Sequence, residues 1–368
     1  MKIYFDNAAT TPVLPFTQTN IFGNPSSPHN LGIDAERKLT HARQMFSKYL
    51  NCAPRELIFT SGATESNNLA LIGFALANQR KKATFMAEPW EHPSVLEPLK
   101  FIKDQNLGNV IISPHEEWIK CSADIRLAAI SHVNHEIGTI NDISTIAAKL
   151  KMDNMRTTVL ADGAQGFCKE STNLSHVDMY SFSAHKSHGP TGVGGLIVSS
   201  KTRLVPLVYG GGQENNLRAG TENVSGILHF LETAQHLWET QTENSKHVAK
   251  IKLILEEISN ELPDVTVNIK KDSVSPYILN MSFIGLKGET LIHLLSERGV
   301  FASMGAACRS RKNTKSALEI MGFPPEQASS AIRFSFSHLN TMEEAIAAKA
   351  IIIDCVTQLR KMLGTDRT

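Results

Sequence analysis

Seven short apolar runs recur between Glu56 and Ser199, each separated from the next by a turn, loop or helix-length segment. They are Glu56–Thr60, Ala83–Ala87, Asn109–Ser113, Leu127–His132, Thr157–Leu160, Val177–Ser183 and Gly194–Ser199. Near-continuous apolar strands alternating with helices have no polar face to show to water. They fit a sheet that is mostly parallel and covered on both sides. Residues 35–49, 64–77 and a stretch from Ser94 carry the helical pattern between them. After about Gly226 the character changes. A long helical stretch runs to about Leu262. Strand runs at Val265–Ile269, Tyr277–Phe283 and Ala331–Phe336 follow, with helices at Glu289–Arg298 and Thr341–Met362. This second set predicts a smaller α/β domain.

Composition narrows the function classes. The 368 residues are 42% hydrophobic and 20% charged, so the chain can bury large cores. Its formal net charge is +1, which gives no bulk attraction for nucleic acid. No apolar stretch reaches the length of a membrane span, and the opening MKIYFDNAATTP has no apolar signal core. Cys52, Cys121, Cys168, Cys308 and Cys355 are scattered, odd in number and form no CxxC. A disulfide scaffold and a structural zinc site are therefore poor readings, and a reducing cytoplasm is expected. In that compartment one cysteine can be a nucleophile while the rest pack as small apolar residues. The fourteen histidines show no metal-ligand spacing, including His185 and His188 on either side of Lys186.

Three segments carry chemistry. In SFSAHKSHGPTGVGG (Ser181–Gly195) a polar, lysine-bearing loop follows a strand run, where ligand groups collect in parallel sheets. Lys186 there is a candidate imine former, or an exposed loop lysine. In ADGAQG (Ala161–Gly166) Asp162 follows a strand run. It can pair with a protonated pyridine nitrogen, or serve as a turn former or helix cap, with Gln165 three residues on. In SGATESNN (Ser61–Asn68) small residues and a hydroxyl open a helix. Ala63 and Thr64 there can cradle a phosphate at the helix start, or simply belong to an ordinary cap.

A phosphate cradle, a pyridinium partner and an imine lysine together resemble the class V aminotransferase branch of fold-type I pyridoxal phosphate (PLP) enzymes. Within it the chain looks like a cysteine desulfurase of the group serving iron–sulfur assembly and tRNA thiolation. The resemblance runs almost end to end. It includes YFDNAATTP (Tyr4–Pro12), FGNPSSPH (Phe22–His29), FTSGATESNN (Phe59–Asn68), EH (Glu91–His92) and VNHEIG (Val133–Gly138). It continues through SFSAHKSHGP (Ser181–Pro190), GGGQENNLRAGTENV (Gly210–Val224), AAC (Ala306–Cys308) and SSAIRFSF (Ser329–Phe336).

The resemblance implies a large domain with a mostly parallel seven-stranded sheet and a smaller α/β C-terminal domain. Residues 1–20 would be an arm joining the small domain, 21–245 the PLP-binding domain, and 246–368 the small domain with a mobile cysteine loop. Lys186 would hold PLP and move the Cα proton. Asp162 would pair with the pyridine nitrogen, Gln165 with the ring hydroxyl, and His92 would stack on the ring as an acid/base group. Ala63, Thr64, Ser183 and His185 would bind the phosphate, joined by Thr221 from a second subunit of a homodimer with shared sites. Arg333 would clamp the substrate carboxylate, for which a planar bidentate donor is suited. His135 would lie near ring and substrate. Cys308 would attack the sulfur of L-cysteine, leaving alanine and an enzyme persulfide for a sulfur-acceptor protein. The flanking Arg309, Arg311 and Lys312 would favour its thiolate.

Two positions depart from the family pattern: His135 stands where asparagine is usual, and the cysteine segment reads SMGAAC rather than SGSAC. The alternatives are another PLP-dependent lyase or aminotransferase, such as a selenocysteine lyase, and a low-activity scaffold homologue.

Overall fold

The computed structural model describes residues 2–17, 22–79, 83–118, 125–269, 273–304 and 315–364. The chain opens with β1 (Ile3–Tyr4), then α1 (Asn30–Tyr49), β2 (Leu57–Thr60), α2 (Ala63–Ala77), β3 (Thr84–Ala87), α3 (Pro93–Asp104), β4 (Asn109–Ile112) and β5 (Ile125–Ser131). Next come α4 (Ile143–Asp153), β6 (Thr158–Asp162), β7 (Met179–Ser183), β8 (Gly194–Val198), α5 (Val224–Glu256) and α6 (Ile258–Glu261). The C-terminal part holds β9 (Val265–Val267), β10 (Ile278–Phe283), α7 (Gly288–Glu297), β11 (Val300–Phe301), α8 (Ala317–Ile320), α9 (Pro325–Ser329), β12 (Ala331–Ser335) and α10 (Met342–Leu363).

The residues group into two compact units. One holds Pro12–Val133 and Asn141–Glu239; the other holds Met1–Thr11, Asn134–Ile140 and Thr240–Thr368. These bounds differ from the sequence expectation at three places, one of them the start of the C-terminal part at Thr240 rather than at residue 246. Residues 12–17 pack with the larger unit: Leu14 N–H donates to the His188 carbonyl, and His188 Nδ1 lies 2.8 Å from the Pro12 carbonyl. Asn134–Ile140 joins the smaller unit because its backbone is bonded there. Asn280 Nδ2 donates to the Glu136 carbonyl (3.1 Å), and Ser275 N–H to the Gly138 carbonyl.

In the larger unit a seven-stranded sheet has the order β2-β8-β7-β6-β5-β3-β4. β3 to β7 pair in parallel, while β8 is antiparallel to both β7 and β2. Strand alternation sends Val159, Ala161, Tyr180 and Phe182 to one core, with Phe46, Phe167 and Phe230. Phe167 and Phe182 stack there at 4.4 Å. Leu160, Met179 and Leu196 face a second core with residues of α2 and α3. The period of two therefore puts Asp162, Ser181 and Ser183 on the α2 side.

The smaller unit has a three-stranded antiparallel sheet, β12-β10-β9, and a short parallel pair, β1 with β11. Helix α10 starts on a capping box between Thr341 and Glu344 and stops at Gly364, whose φ of 64° suits glycine. Its buried residues Ala345, Ala348, Ile352, Val356 and Leu359 recur at helical spacing. Each large aliphatic residue so buried contributes roughly 1.5–3 kcal/mol. No helix among the described residues is long and apolar enough to cross a membrane.

Candidate active site

Because β2 runs in the same direction as β5, β6 and β7, their carboxyl ends meet at one edge of the sheet. Thr60 and Ser183 both face Gly194, and Asp162 lies between Ser131 and Ser181. This is the edge at which parallel sheets gather ligand groups.

Asp162 is 6% exposed, and its carboxylate accepts from Asn67 Nδ2 (2.8 Å) and Ala164 N–H (2.9 Å). Asn67 Nδ2 also donates to Ser94 Oγ (2.9 Å), which lies 2.8 Å from His92 Nδ1. One hydrogen-bonded chain thus links Asp162, on β6, to His92, the N-cap of α3. His92 Nδ1 accepts from Ser94 N–H (3.1 Å), so the proton of the neutral ring sits on Nε2. Asn67 Oδ1 and Ser181 Oγ are buried with no hydrogen-bond partner, so polar capacity remains around Asp162.

Next to this chain, Glu91 Oε1 accepts from Ser131 N–H (2.7 Å), while Oε2 has no partner. Burial first, then the Glu88 carboxylate, hold Glu91 well above the usual carboxylate range. Glu88 itself is engaged by His115 Nδ1 (2.7 Å) and Trp90 Nε1 (3.0 Å), so the Glu88–His115–Glu116 trio already has internal partners.

The start of α2 is built for a close approach. Its N-cap, Gly62, has φ 152° and offers no side chain to the first-turn N–H groups. A Cβ at Gly62 would meet only Ser183 Oγ, at 3.2 Å. Ala63 is buried, Thr64 is exposed, and Ser183 is buried. First-turn N–H groups without a side-chain cap, beside a serine hydroxyl and on a glycine that keeps the approach open, suit an anion such as a phosphate.

Lys186 follows β7 in a 3-10 turn, Ala184–Lys186. Burial first, then the charges of Lys186 and Lys169, lower the His185 imidazole to about 4, so it is neutral at pH 7. Lys169 Nζ donates to Gln165 Oε1 (3.3 Å), and both residues are buried. Behind them His132, lowered to about 4 mainly by burial, packs against Gly166, where a Cβ would lie 2.2 Å from its Nδ1. Thr221 is exposed, on a segment tied to β2 by Glu214, which pairs with Arg43 (2.7 Å) and accepts from Phe59 N–H (2.9 Å).

Arg333 and His135 belong to the smaller unit. Arg333 is 5% exposed; Nη2 pairs with Asp6 (2.9 Å), Nη1 donates to the His135 carbonyl (2.8 Å), and Nε is buried without a partner. His135 Nε2 lies 3.9 Å from Glu136 Oε1. Cys308 and its basic neighbours Arg309, Arg311 and Lys312 lie outside the described residues, as does Cys121. Burial pushes the Cys52 thiol up to about 11, Cys168 well above its usual value, and Cys355 upward, so all three are thiols at neutral pH.

Asn67, Ser94, Glu91 and Lys169 were not singled out from the sequence as site residues. Asn67 and Glu91 lay inside the motifs that were, but their partners are distant in sequence. The donor set fits PLP: a buried carboxylate with directed donors for a ring nitrogen, an open helix start for the phosphate, and a lysine at the same sheet edge.

Residues 3–347 match the family described as aminotransferase class-V. A NifS/IcsS protein homolog of Lactobacillus delbrueckii subsp. bulgaricus is 36% identical, the match covering 93% of this chain and 94% of that one. Cysteine desulfurase IscS of Azotobacter vinelandii is 34% identical, with 98% and 94% covered. The solved structure of a NifS-like protein superposes with a TM-score of 0.90 at 33% identity, covering 97% of this chain and all of that one. The chain belongs to the class-V aminotransferase family, and within it to the cysteine desulfurases.

Proposed function

We propose that the chain takes the sulfur of L-cysteine, leaves L-alanine, and carries the sulfur as a persulfide on Cys308 to an acceptor protein, working with PLP in a homodimer. The observation that carries the reading is the Asp162–Asn67–Ser94–His92 chain, buried except at the half-buried His92, at the sheet edge that also bears Lys186 and the open start of α2. Asp162, held by Asn67 and Ala164, is set to keep a ring nitrogen protonated. Gln165 would meet the ring hydroxyl. Ala63, Thr64, Ser183 and a neutral His185 would donate to the phosphate, with Thr221 from a second copy of the chain. Bound there, PLP would supply an electron sink for charge developing at the substrate Cα.

The chain's own groups do the rest. Arg333 binds the substrate carboxylate with donor capacity beyond what Asp6 and the His135 carbonyl use, and His135 orients it. Lys186 moves the Cα proton, and His92 serves as an acid/base group through Nε2. The Cys308 thiolate attacks the substrate sulfur: an S–S bond forms and the Cβ–S bond breaks. The carbon fragment takes up a proton and leaves as alanine. Thiol plus cysteine give persulfide plus alanine, so no external oxidant is needed. The three described cysteines are thiols at neutral pH, which favours Cys308 for this step.

The test is incubation of purified protein with L-cysteine and a thiol reductant, measuring alanine and sulfide, with Cys308→Ala in parallel. Equal yields from wild type and almost none from the variant are expected. A PLP-loaded wild type that makes neither product, or a variant that matches it, refutes the reading.

A further inference from the structure

The larger unit has a second concave site, at the amino-terminal edge of the same sheet. It is a cleft of about 1030 Å³. The starts of β5, β6 and β7 line it, with the end of α2, the segment after α4, and the turn after β8. Its charge is lopsided. Arg126, Lys151, Arg156, Lys201 and Arg203 line it against one carboxylate, Asp178, in a chain whose net charge is only +1.

That carboxylate is already used. Lys151 Nζ pairs with Asp178 Oδ2 at 2.7 Å, and the same oxygen accepts from Val159 N–H at 2.8 Å. Among the described residues, Arg126, Arg156, Lys201 and Arg203 have no carboxylate within ion-pair distance. Arg126 is the most telling, because its Nε is buried and has no hydrogen-bond partner. A buried donor left unmade costs free energy that a ligand acceptor would recover.

Like charges in a concave site repel one another, and low-dielectric walls focus their field outward. The ends of α2 and α4 favour nearby cations through their dipoles. That accounts for part of the basic lining, but it does not supply an acceptor for the buried Arg126 Nε. The hydroxyl-bearing Thr158, Ser199 and Thr202 also line the cleft and can donate to anionic oxygens, whereas the buried Thr157 hydroxyl already donates to the Ile125 carbonyl.

We propose that this cleft binds a small anion bearing several phosphates, of the size of a nucleoside triphosphate. It is distinct from the cradle at the start of α2: the fifteen residues of that helix set the two sites about 22 Å apart. Guanidinium forks and hydroxyls suit phosphate oxygens, and the cleft's volume is large enough to admit one such molecule.

The test is calorimetric titration of the full, PLP-loaded chain with sodium tripolyphosphate and, separately, with ATP, at low and at physiological ionic strength. Saturable one-to-one binding that weakens with salt is expected. Arg203→Gln, an exposed change, and Arg126→Gln should each weaken it about tenfold or more, with Lys48→Gln on α1 unchanged. Unaltered thermal melts would show that the variants fold. Equal affinity for the two probes places recognition in the phosphates alone. Tighter ATP binding adds a contact to the nucleoside. Both support the shared chemistry. No saturable binding of either probe, or binding that Arg203→Gln and Arg126→Gln leave untouched, overturns it.

Discussion

Helix α2 reaches both edges of the seven-stranded sheet, its first turn beside Ser183 at one and its last turn in the basic cleft at the other. At the first edge most of the charged and polar side chains are bound to a neighbour, Asp162 to Asn67, Asn67 to Ser94, Ser94 to His92, Lys169 to Gln165, with Asn67 Oδ1, Ser181 Oγ and Glu91 Oε2 left open. At the second, four cations have no carboxylate partner among the described residues. Under the two functions proposed above, the difference follows from the tasks. Covalent chemistry needs groups held in one geometry before the substrate arrives, so the fold spends hydrogen bonds on fixing them. Holding a mobile anion needs charge left available, so the fold leaves the cations unpaired.

The sharpest way to separate the edges is to mutate one residue at each. Lys186→Ala should lower alanine formation about 10³-fold or more, the size expected for a lost catalytic base. Arg203→Gln should leave turnover within about twofold, and an equal loss from both would erase the distinction.

The next test asks whether the bonded chain positions anything. Asn67→Ala removes a bond to the Asp162 carboxylate and should cost roughly tenfold in kcat. Ser94→Ala should shift the pH profile of kcat while leaving KM near wild type, because it acts on His92. Rescue of Asn67→Ala activity by Asn67→Gln would confirm a hydrogen bond rather than packing.

A smaller effect concerns pH. His132 and His185 are held at about 4 against an unfolded value of 6.5. Between those values the unfolded chain binds more protons, so stability is full above about pH 6.5 and falls as pH drops toward 4. Thermal melts across that window should show the decline, and His132→Gln should make it shallower.

The smallest effect is at Glu91. Its carboxyl titrates well above the ordinary value, so the folded form favours the protonated state. That contribution is present below the unfolded value and lost as pH rises. Glu91→Gln keeps an acceptor for Ser131 N–H and should raise the melting temperature at pH 8 but not at pH 4. A fall at pH 8 would show that the charge is used.

The strand runs were legible because burial leaves continuous apolar stretches; β2, β3 and β5 to β8 each fall on one, while β4, at the end of the strand order, has an apolar run that is mostly exposed. Asp162 and Lys186 were legible because each follows such a run. The two-residue strands β1 and β11 are too short to leave a pattern, and α4, Ile143–Asp153, was not singled out. Asn67 could be quoted but not assigned, since its partner Asp162 is 95 positions away. The basic cleft was hidden twice: its residues are scattered from Arg126 to Arg203, and acidic residues elsewhere bring the net charge to +1.

The most direct test of the central claim is to treat the PLP-loaded protein with L-cysteine, without reductant, and map added sulfur by peptide mass spectrometry. One extra sulfur on the Cys308 peptide of wild type, and none on Lys186→Ala, is the predicted result. Sulfur on Cys52, Cys121, Cys168 or Cys355 instead, or on no peptide at all, would contradict it.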